Sequence, residues 1–296
     1  MSATWEIKQS DGEYPAQLLE IKERLPETLF GVGDKEVLNT PCISVIGARR
    51  ATPYGMTVAG MAGRVAAQCG ITVVSGGACG CDYAASRSAL DAGGRTIIVS
   101  GCGADMIYPR SSQDIFHDAV RSGGAVISLR PWGKTPRRYA FIQRNAVIAT
   151  LSKVLFVTEA GVKSGTMSTA EVATELGREV YAVPGSIFSP NSAGTNQLIA
   201  DGASIITSEM DLEVRISLDY DRLRLISENG SRKTTRLVSA LIASPMRPDE
   251  LATLLGEPLL TLIKTLSEYE TQGVVERLPD GRYSASETTY RTYCKR

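Results

Sequence analysis

Residues 41–77 read PCISVIGARRATPYGMTVAGMAGRVAAQCGITVVSGG, and the succession of textures within them decides the fold class. ISVIG (43–47) and ITVVSGG (71–77) are short, β-branched and apolar throughout. Between them, Met56 to Cys69 carries apolar residues at helical spacing and stops at Gly70. A strand that is apolar at every position has no solvent face, so this strand–helix–strand unit belongs in a parallel sheet covered on both sides. The pattern repeats along the chain in RTIIVSG (95–101), AVISL (125–129), KVLFVTEA (153–160), EVYAVPG (179–185) and SIITS (204–208), with an Ala-rich helix over Tyr83 to Ala92. The expected fold is α/β and Rossmann-like, a largely parallel sheet between helix layers. Almost every run ends in Gly, Ser or Thr, and in such sheets ligands bind outside the carboxyl ends of the strands.

The flanks differ in texture. Residues 1–40 read as an N-terminal helical extension, a helix and connector leading into the sheet domain at 41–212. After Ser208 the chain becomes highly charged; a linker is expected over 213–232, with Asn229-Gly230-Ser231 its most linker-like point. Residues 233–296 read as three short helices and a hairpin turned at Asp280-Gly281, a winged-helix pattern. On the third of these helices Leu259, Ile263, Leu266 and Tyr269 fall at helical spacing and are assigned to the core. Its polar positions include Lys264 but also Glu257, Glu268 and Glu270, which suits a protein contact or accessory role better than DNA phosphates.

Composition removes several function classes. With 43% hydrophobic and 22% charged residues the chain is neither disordered nor fibrous, and no apolar run reaches the ~18 residues of a membrane helix. The start MSATWEIKQSDGEY lacks the basic and apolar regions of a signal peptide, so a cytoplasmic protein without a membrane partner is expected. Thirty-two basic side chains balance 32 acidic ones, so a polyanion would have to be held by a local patch. The single histidine, His117, lies on the surface of a short helix and is given no role; it also rules out a multi-histidine metal site. Six cysteines without a CxxC pair read as free thiols, and no Walker A loop is present. No metal, no cofactor and no catalytic residue are expected.

Two features carry chemistry. Between Asp118 and Glu159 there is no acidic residue, yet Arg121, Arg130, Lys134, Arg137, Arg138, Arg144 and Lys153 fall there, interleaved with Trp132, Tyr139 and Phe141. A solvated loop can look like this, but alternating cations and aromatics also suit backbone phosphates and unstacked bases. The second feature is EAGVKSGTMSTAEVA (159–173), a strand end, a turn and a helix start near Ser164 to Ser168. Its free amides and the hydroxyls of Ser164, Thr166, Ser168 and Thr169 suit an anion, though Ser and Thr also serve simply as caps. GARRATPYG (47–55), with Arg49 and Arg50, and SGGACGCD (75–82) are further turns at the same edge. Three turns would line a groove long enough for an oligonucleotide backbone, with Arg144 expected at its mouth.

VIGARRATPYG (45–55), VVSGGACGCDYAA (73–85), FIQRNAVIATLS (141–152), EAGVKSGTMSTA (159–170), GREVYAVPGSI (177–187) and GTNQLIADGA (194–203) occur in this order. With ALDAGGRTIIVSGCGADMIYP (89–109), they make the stretch from Tyr14 to Ser208 resemble the bacterial DNA-processing protein A family (DprA, also called Smf). The C-terminal segment resembles that family's winged helix. The resemblance implies a dimeric Rossmann-like protein that binds single-stranded DNA, protects it, and loads the RecA recombinase in transformation and recombination. It nominates Arg49, Phe141, Arg144, Asn145, Lys163, Ser164, Gly165 and Thr166 as the basic DNA pocket. Together with Arg50 and Ser168 from the strand-end and helix-start reading, these make up the expected DNA and phosphate site. The chain departs from the family pattern at Cys79, Cys81, Ser86 and Ala146, where the family usually has Arg, Ile, His and often Arg.

Two rival classes share the fold: a nucleotide-binding sensor and a phosphoribohydrolase-like enzyme. The enzyme needs a glutamate where Thr169 stands, and Glu171 would be turned away from that position. A nicotinamide dehydrogenase is disfavoured because no GxGxxG follows the first strand.

Overall fold

A computed structural model describes residues 3–24, 27–222, 224, 232–286 and 289. It consists of two units, Met1–Leu225 and Ile226–Arg296.

The first unit begins with two strands, β1 (Thr4–Lys8) and β2 (Thr28–Gly33), separated by a 3₁₀ helix at Ala16–Arg24. This corrects the expected helical extension over 1–40. β1 buries only Ile7 fully, so its alternation is faint in the sequence. What holds it is tertiary: the Trp5 ring lies over Gly31, where a Cβ would come within 2.2 Å of it, and Trp5 Nε1 donates to Gly33 O at 3.0 Å.

A 3₁₀ turn at Lys35–Asn39 leads into β3 (Cys42–Ile46), after which helices and strands alternate. They are α1 (Pro53–Gln68), β4 (Thr72–Ser75), α2 (Cys81–Asp91), β5 (Thr96–Ser100), α3 (Gln113–Arg121), β6 (Ala125–Ser128) and α4 (Arg138–Leu151). There follow β7 (Val154–Val157), α5 (Gly165–Glu175), β8 (Glu179–Ala182), α6 (Ala193–Ala200), β9 (Ser204–Ile205) and α7 (Glu209–Tyr220). The sheet order is β1-β2-β6-β5-β4-β3-β7-β8-β9. β3 to β9 are parallel, while β1 and β2 close one edge antiparallel.

Both faces of the sheet are covered, which explains the uninterrupted apolar strands. Ile43 and Val45 join Val58, Ala62, Val65, Ala85, Leu212 and Ile216 of α1, α2 and α7. Cys42 and Ile46, one residue out of phase, join Val147, Ile148, Leu151, Met167 and Ala170 of α4 and α5. Each Val, Leu, Ile or Met among them, fully buried, contributes roughly 1.5–3 kcal/mol. α1 lies close against α2 because Gly63 has no side chain: a Cβ there would sit 2.1 Å from Ala85 O. Ile216 also shows that part of the expected linker over 213–232 is helix, and Tyr220 Oη donates to Cys42 O at 2.7 Å. The first unit therefore extends past the expected limit of 212.

The second unit contains α8 (Arg232–Ala243), α9 (Pro248–Leu255), α10 (Leu259–Thr271), β10 (Val275–Arg277) and β11 (Tyr283–Ala285), the expected three helices and hairpin. Gly281 takes φ +84° at the turn, and its amide donates to Leu278 O at 3.0 Å. The core is formed by Leu237, Leu241, Leu251, Leu262, Leu266, Val275 and Tyr283. On α10 the buried stripe is Leu262 and Leu266, with Tyr269 half-buried; Leu259 and Ile263, expected in the core, are exposed. The apolar residues of this helix allow two stripes, and Leu262 belongs to the one that meets the other helices. Among the described residues no helix is long and apolar enough to cross a membrane.

Candidate functional site

From β3 the chain builds outward through β4, β5 and β6, then returns through α4 to place β7 on the other side of β3. The turns after β3 and β7 therefore diverge, which opens a crevice at the carboxyl edge. Side chains fix its walls. The Glu159 carboxylate accepts from Thr52 N and Thr52 Oγ1, both at 2.8 Å, while Thr52 caps α1 by accepting from Gly55 N at 3.2 Å. Thr166 Oγ1 donates to Gly47 O at 3.2 Å, tying the two turns together. Gly55 leaves room for the glutamate, since a Cβ there would lie 2.3 Å from Glu159 Oε2.

α5 starts at this crevice. Ser164 is its N-cap and accepts from Met167 N at 3.4 Å, so the capping reading of that serine holds. The Gly165 and Thr166 amides have no intrahelical acceptor, and the helix dipole adds positive potential at the same end. Lys163, Gly165 and Ser168 are exposed there. Thr169 is buried and donates from Oγ1 to Gly165 O at 3.0 Å, while Glu171 faces solvent. The carboxylate position that a phosphoribohydrolase needs is thus filled by a hydroxyl engaged with the helix backbone.

One aromatic ring organises the neighbouring turns. Phe141, in the first turn of α4, packs over Gly101 at the end of β5, where a Cβ would be 2.5 Å from the ring. The Arg49 guanidinium lies 5.3 Å from the Phe141 centroid and that of Arg144 5.8 Å, both within cation–π range. The two arginines are otherwise unlike. Arg49 is exposed, as is Arg50 beside it. Arg144 is only 4% exposed and donates from Nη1 to Val99 O at 3.1 Å. It lies below the crevice and not at its mouth as expected, because residues three apart on a helix share a face and this face turns toward the sheet. Gly76 makes the space: a Cβ there would be 1.7 Å from Arg144 Nη1.

Burial pulls the Arg144 guanidinium down to about 10, partly offset by attraction to Asp82, so it stays charged at neutral pH. Asp82 is buried at the start of α2 and accepts from Gly76 N at 3.1 Å and Ala78 N at 3.4 Å. Burial pushes its carboxyl up, while Arg144 and these amides pull the other way. Arg144 Nε is buried without a hydrogen-bond partner among the described residues. Asn145 completes the set by donating from Nδ2 to Gly165 O at 3.4 Å, joining α4 to α5.

The basic window divides by sheet edge. Arg121, at the end of α3, pairs with Asp118, and Lys153, just before β7, donates to Asp219 O; both belong to the amino edge. Lys134, Arg137 and Arg138 precede or open α4 on the carboxyl side and are exposed. Among the described residues, none of these three, nor Arg49, Arg50 or Lys163, has a carboxylate within ion-pair distance. Arg130 contacts Tyr139 Oη and stacks 5.2 Å from that ring. Trp132, expected to meet bases, is instead structural: it packs edge-on against Phe30 at 5.5 Å and donates from Nε1 to Glu6 Oε1 at 2.5 Å.

The window is free of acids in sequence, but the fold brings Glu6 and Asp105 to its turn at 132–133 and Asp82 beneath Arg144, while Glu159 at its end holds Thr52. Glu6 accepts from Trp132, and the other three accept from backbone amides of the turns. No sequence signal marked these four as partners.

At the departure positions, Cys79 is exposed with Sγ 3.1 Å from Ser111 Oγ. Cys81 is buried, its thiol pushed up to about 12 by that burial. Ser86 is fully buried, its Oγ without a partner among the described residues, and Ala146 is buried in the core. Among the described residues no group of three or more His, Cys, Asp or Glu side chains could hold a metal ion.

The chain is similar to known proteins over most of its length. The family model described as DNA recombination-mediator protein A matches residues 6–216, and the DprA winged helix domain matches 227–281. Protein Smf of Escherichia coli is 32% identical over 277 residues, 90% of this chain and 74% of that protein. The DNA processing protein DprA of Streptococcus pneumoniae is 36% identical over 207 residues, 68% of this chain and 71% of that protein. The crystal structure of DprA from Streptococcus pneumoniae superposes with a TM-score of 0.66 at 35% identity, covering 70% of this chain and 72% of that one. A Helicobacter pylori DprA structure, described for its single-stranded DNA binding mode, gives a TM-score of 0.66 at 29% identity, covering 73% of this chain and 97% of that one. Motif order, sheet topology and the C-terminal hairpin unit agree with these matches, and the chain belongs to the DNA recombination-mediator protein A (DprA/Smf) family.

Proposed function

We propose that this protein binds single-stranded DNA along the carboxyl edge of its parallel sheet, using Arg49, Arg50, Lys163, Ser164, Gly165, Thr166 and Ser168 at the crevice. Phe141, Arg144 and Asn145 support it from beneath. The observation that carries this reading is the set of exposed cations at that edge without carboxylate partners among the described residues, beside a helix N-terminus whose first amides have no intrahelical acceptor. The single-stranded DNA named for the Helicobacter pylori relative supports it. As a family of recombination mediators implies, the bound strand is protected from nucleases and handed to the RecA recombinase in transformation and recombination, in the cytoplasm. No catalytic step is assigned, and Thr169 in place of a carboxylate supports that.

The protein acts as a homodimer in this reading. Ile205 of the edge strand β9 and Met210, Val214 and Leu218 of α7 are exposed, the last three spaced four apart on one helix face. Leu218→Arg should then give monomers in sedimentation.

Fluorescence anisotropy with labelled single-stranded, duplex and mononucleotide ligands at two salt concentrations tests the DNA reading. Preference for the single strand is expected, with log K falling by ~0.7 per decade of salt for each phosphate neutralised. Tight mononucleotide binding, or a slope near zero, would replace it with the sensor reading.

A further inference from the structure

Beyond the crevice, the loop after β8 presents Ile187 at 84% and Phe188 at 89% exposure, the two most exposed large apolar side chains among those described. A phenylalanine left almost wholly in water is costly, and a flexible loop would fold it down. This loop is pinned. Gly185 N donates to Asn196 Oδ1 at 3.1 Å and Asn196 Nδ2 donates back to Gly185 O at 3.0 Å. Phe188 N donates to Ser186 Oγ at 3.2 Å, and Ser189 N to Ser186 O at 3.0 Å.

The loop is also continuous with the candidate DNA edge. Tyr54 Oη, from the start of α1, donates to Pro184 O at 2.7 Å, and Gly194 N donates to Ala160 O at 2.8 Å. A Cβ on Gly161 would lie 3.5 Å from Pro190 O, so the turn carrying Lys163 abuts this loop directly. Along the sheet, Phe141 stands at the end of β5 and Phe188 beyond the end of β8, four strand spacings or ~19 Å apart. Between them lie Arg49 and the start of α5.

We propose that Ile187 and Phe188 form a base-stacking step that extends the single-strand site past β8. The ligand class is an unpaired nucleobase of a strand whose phosphates run along the cations of the crevice. The chemistry complements what the crevice lacks: its cations serve phosphates, Phe141 is occupied by two guanidiniums, and Trp132 is packed inside. A rigid, exposed aromatic face offers stacking to any base, which is sequence-tolerant. The inference rests on the DNA reading above and adds a subsite to it.

The test uses the full chain, Phe188→Ala, Phe188→Trp and Arg49→Glu, with a labelled oligothymidine and an abasic oligonucleotide of equal length. Phe188→Ala should weaken oligothymidine binding about tenfold, leave the abasic strand and the salt slope unchanged, and keep the melting temperature. Phe188→Trp should retain wild-type affinity. Arg49→Glu should weaken both ligands. If Phe188→Ala binds oligothymidine like wild type while Arg49→Glu does not, the stacking step is wrong and the crevice stands. An equal loss on both ligands, or a change only in sedimentation, would assign the loop to another contact and overturn the step. A wild-type protein that binds neither ligand overturns both the step and the reading beneath it.

Discussion

The carboxyl edge of the sheet and the third helix of the C-terminal unit both belong to folds that meet nucleic acids, yet their cations have opposite surroundings. At the sheet edge, Arg49, Arg50 and Lys163 are exposed without carboxylate partners among the described residues, and the nearby acids are engaged by backbone amides. On α10, Lys264 stands one turn before the exposed Glu268, with Glu270 beyond it and Leu259, Leu260 and Ile263 exposed alongside. Asp82 and Glu159 lie buried beneath the turns with amide dipoles aimed at them, whereas Glu268 and Glu270 stand exposed where a phosphate would approach. With more exposed carboxylates than cations on its described surface, α10 is expected to suit a protein contact better than a phosphate backbone.

The largest effect of a single substitution is expected at Arg144. Arg144→Glu would bury a carboxylate near Asp82 and leave Val99 O without its donor, so the first unit should lose ~3–5 kcal/mol of stability, read as a fall in thermal midpoint. Retained stability with selective loss of DNA binding would put this arginine at the surface. Arg49→Glu, at an exposed position on the same ring, should leave the melting temperature unchanged and cost ~1–3 kcal/mol in affinity for single-stranded DNA. Arg121→Glu, on the amino edge, should cost less than ~0.5 kcal/mol in the same titration. Equal losses for Arg49 and Arg121 would mean a diffuse field in place of a crevice.

Removing the C-terminal unit by truncation after Asn229 should keep single-strand affinity within about tenfold, or ~1.4 kcal/mol. A larger loss in anisotropy would bring the second unit into the interface. A further small effect belongs to the amino edge. Arg87 and Arg121 hold the Asp118 carboxyl below its ordinary value, so its contribution is present above about pH 4 and disappears as pH falls through the folded-state value. Asp118→Asn should therefore destabilise by less than ~1 kcal/mol near pH 7, and the difference from wild type should vanish in acid denaturation.

The parallel strands were legible because both faces are buried, which makes every position apolar, and the strand ends were legible through their small residues. β1 and β2 were not, since β1 is an edge strand with one fully buried residue, Trp5 gains its meaning only over Gly31, and the short apolar run of β2 is interrupted by Gly31 and Gly33. α7 read as linker because its charges outnumber the two residues, Leu212 and Ile216, that dock it. Within the site, motif order identified the turns and the helix start. It did not reveal that Arg144 lies beneath Phe141, because an arginine within a helix that opens with Arg138 carries no mark of burial and the space it fills is made by Gly76, a distant position in the chain. Trp132 was misread for a related reason: its partners, Phe30 and Glu6, come from strands hidden in the sequence.

The most direct measurement is photo-cross-linking of the full chain to a single-stranded oligonucleotide containing 5-iododeoxyuridine, followed by peptide mapping. Cross-links are expected in 47–55, 137–145 and 159–168, with further ones at 185–189 if the strand reaches the loop after β8, and they should fade as salt is raised. Cross-links confined to 244–277 of the C-terminal unit would contradict the assignment of DNA to the carboxyl edge of the sheet.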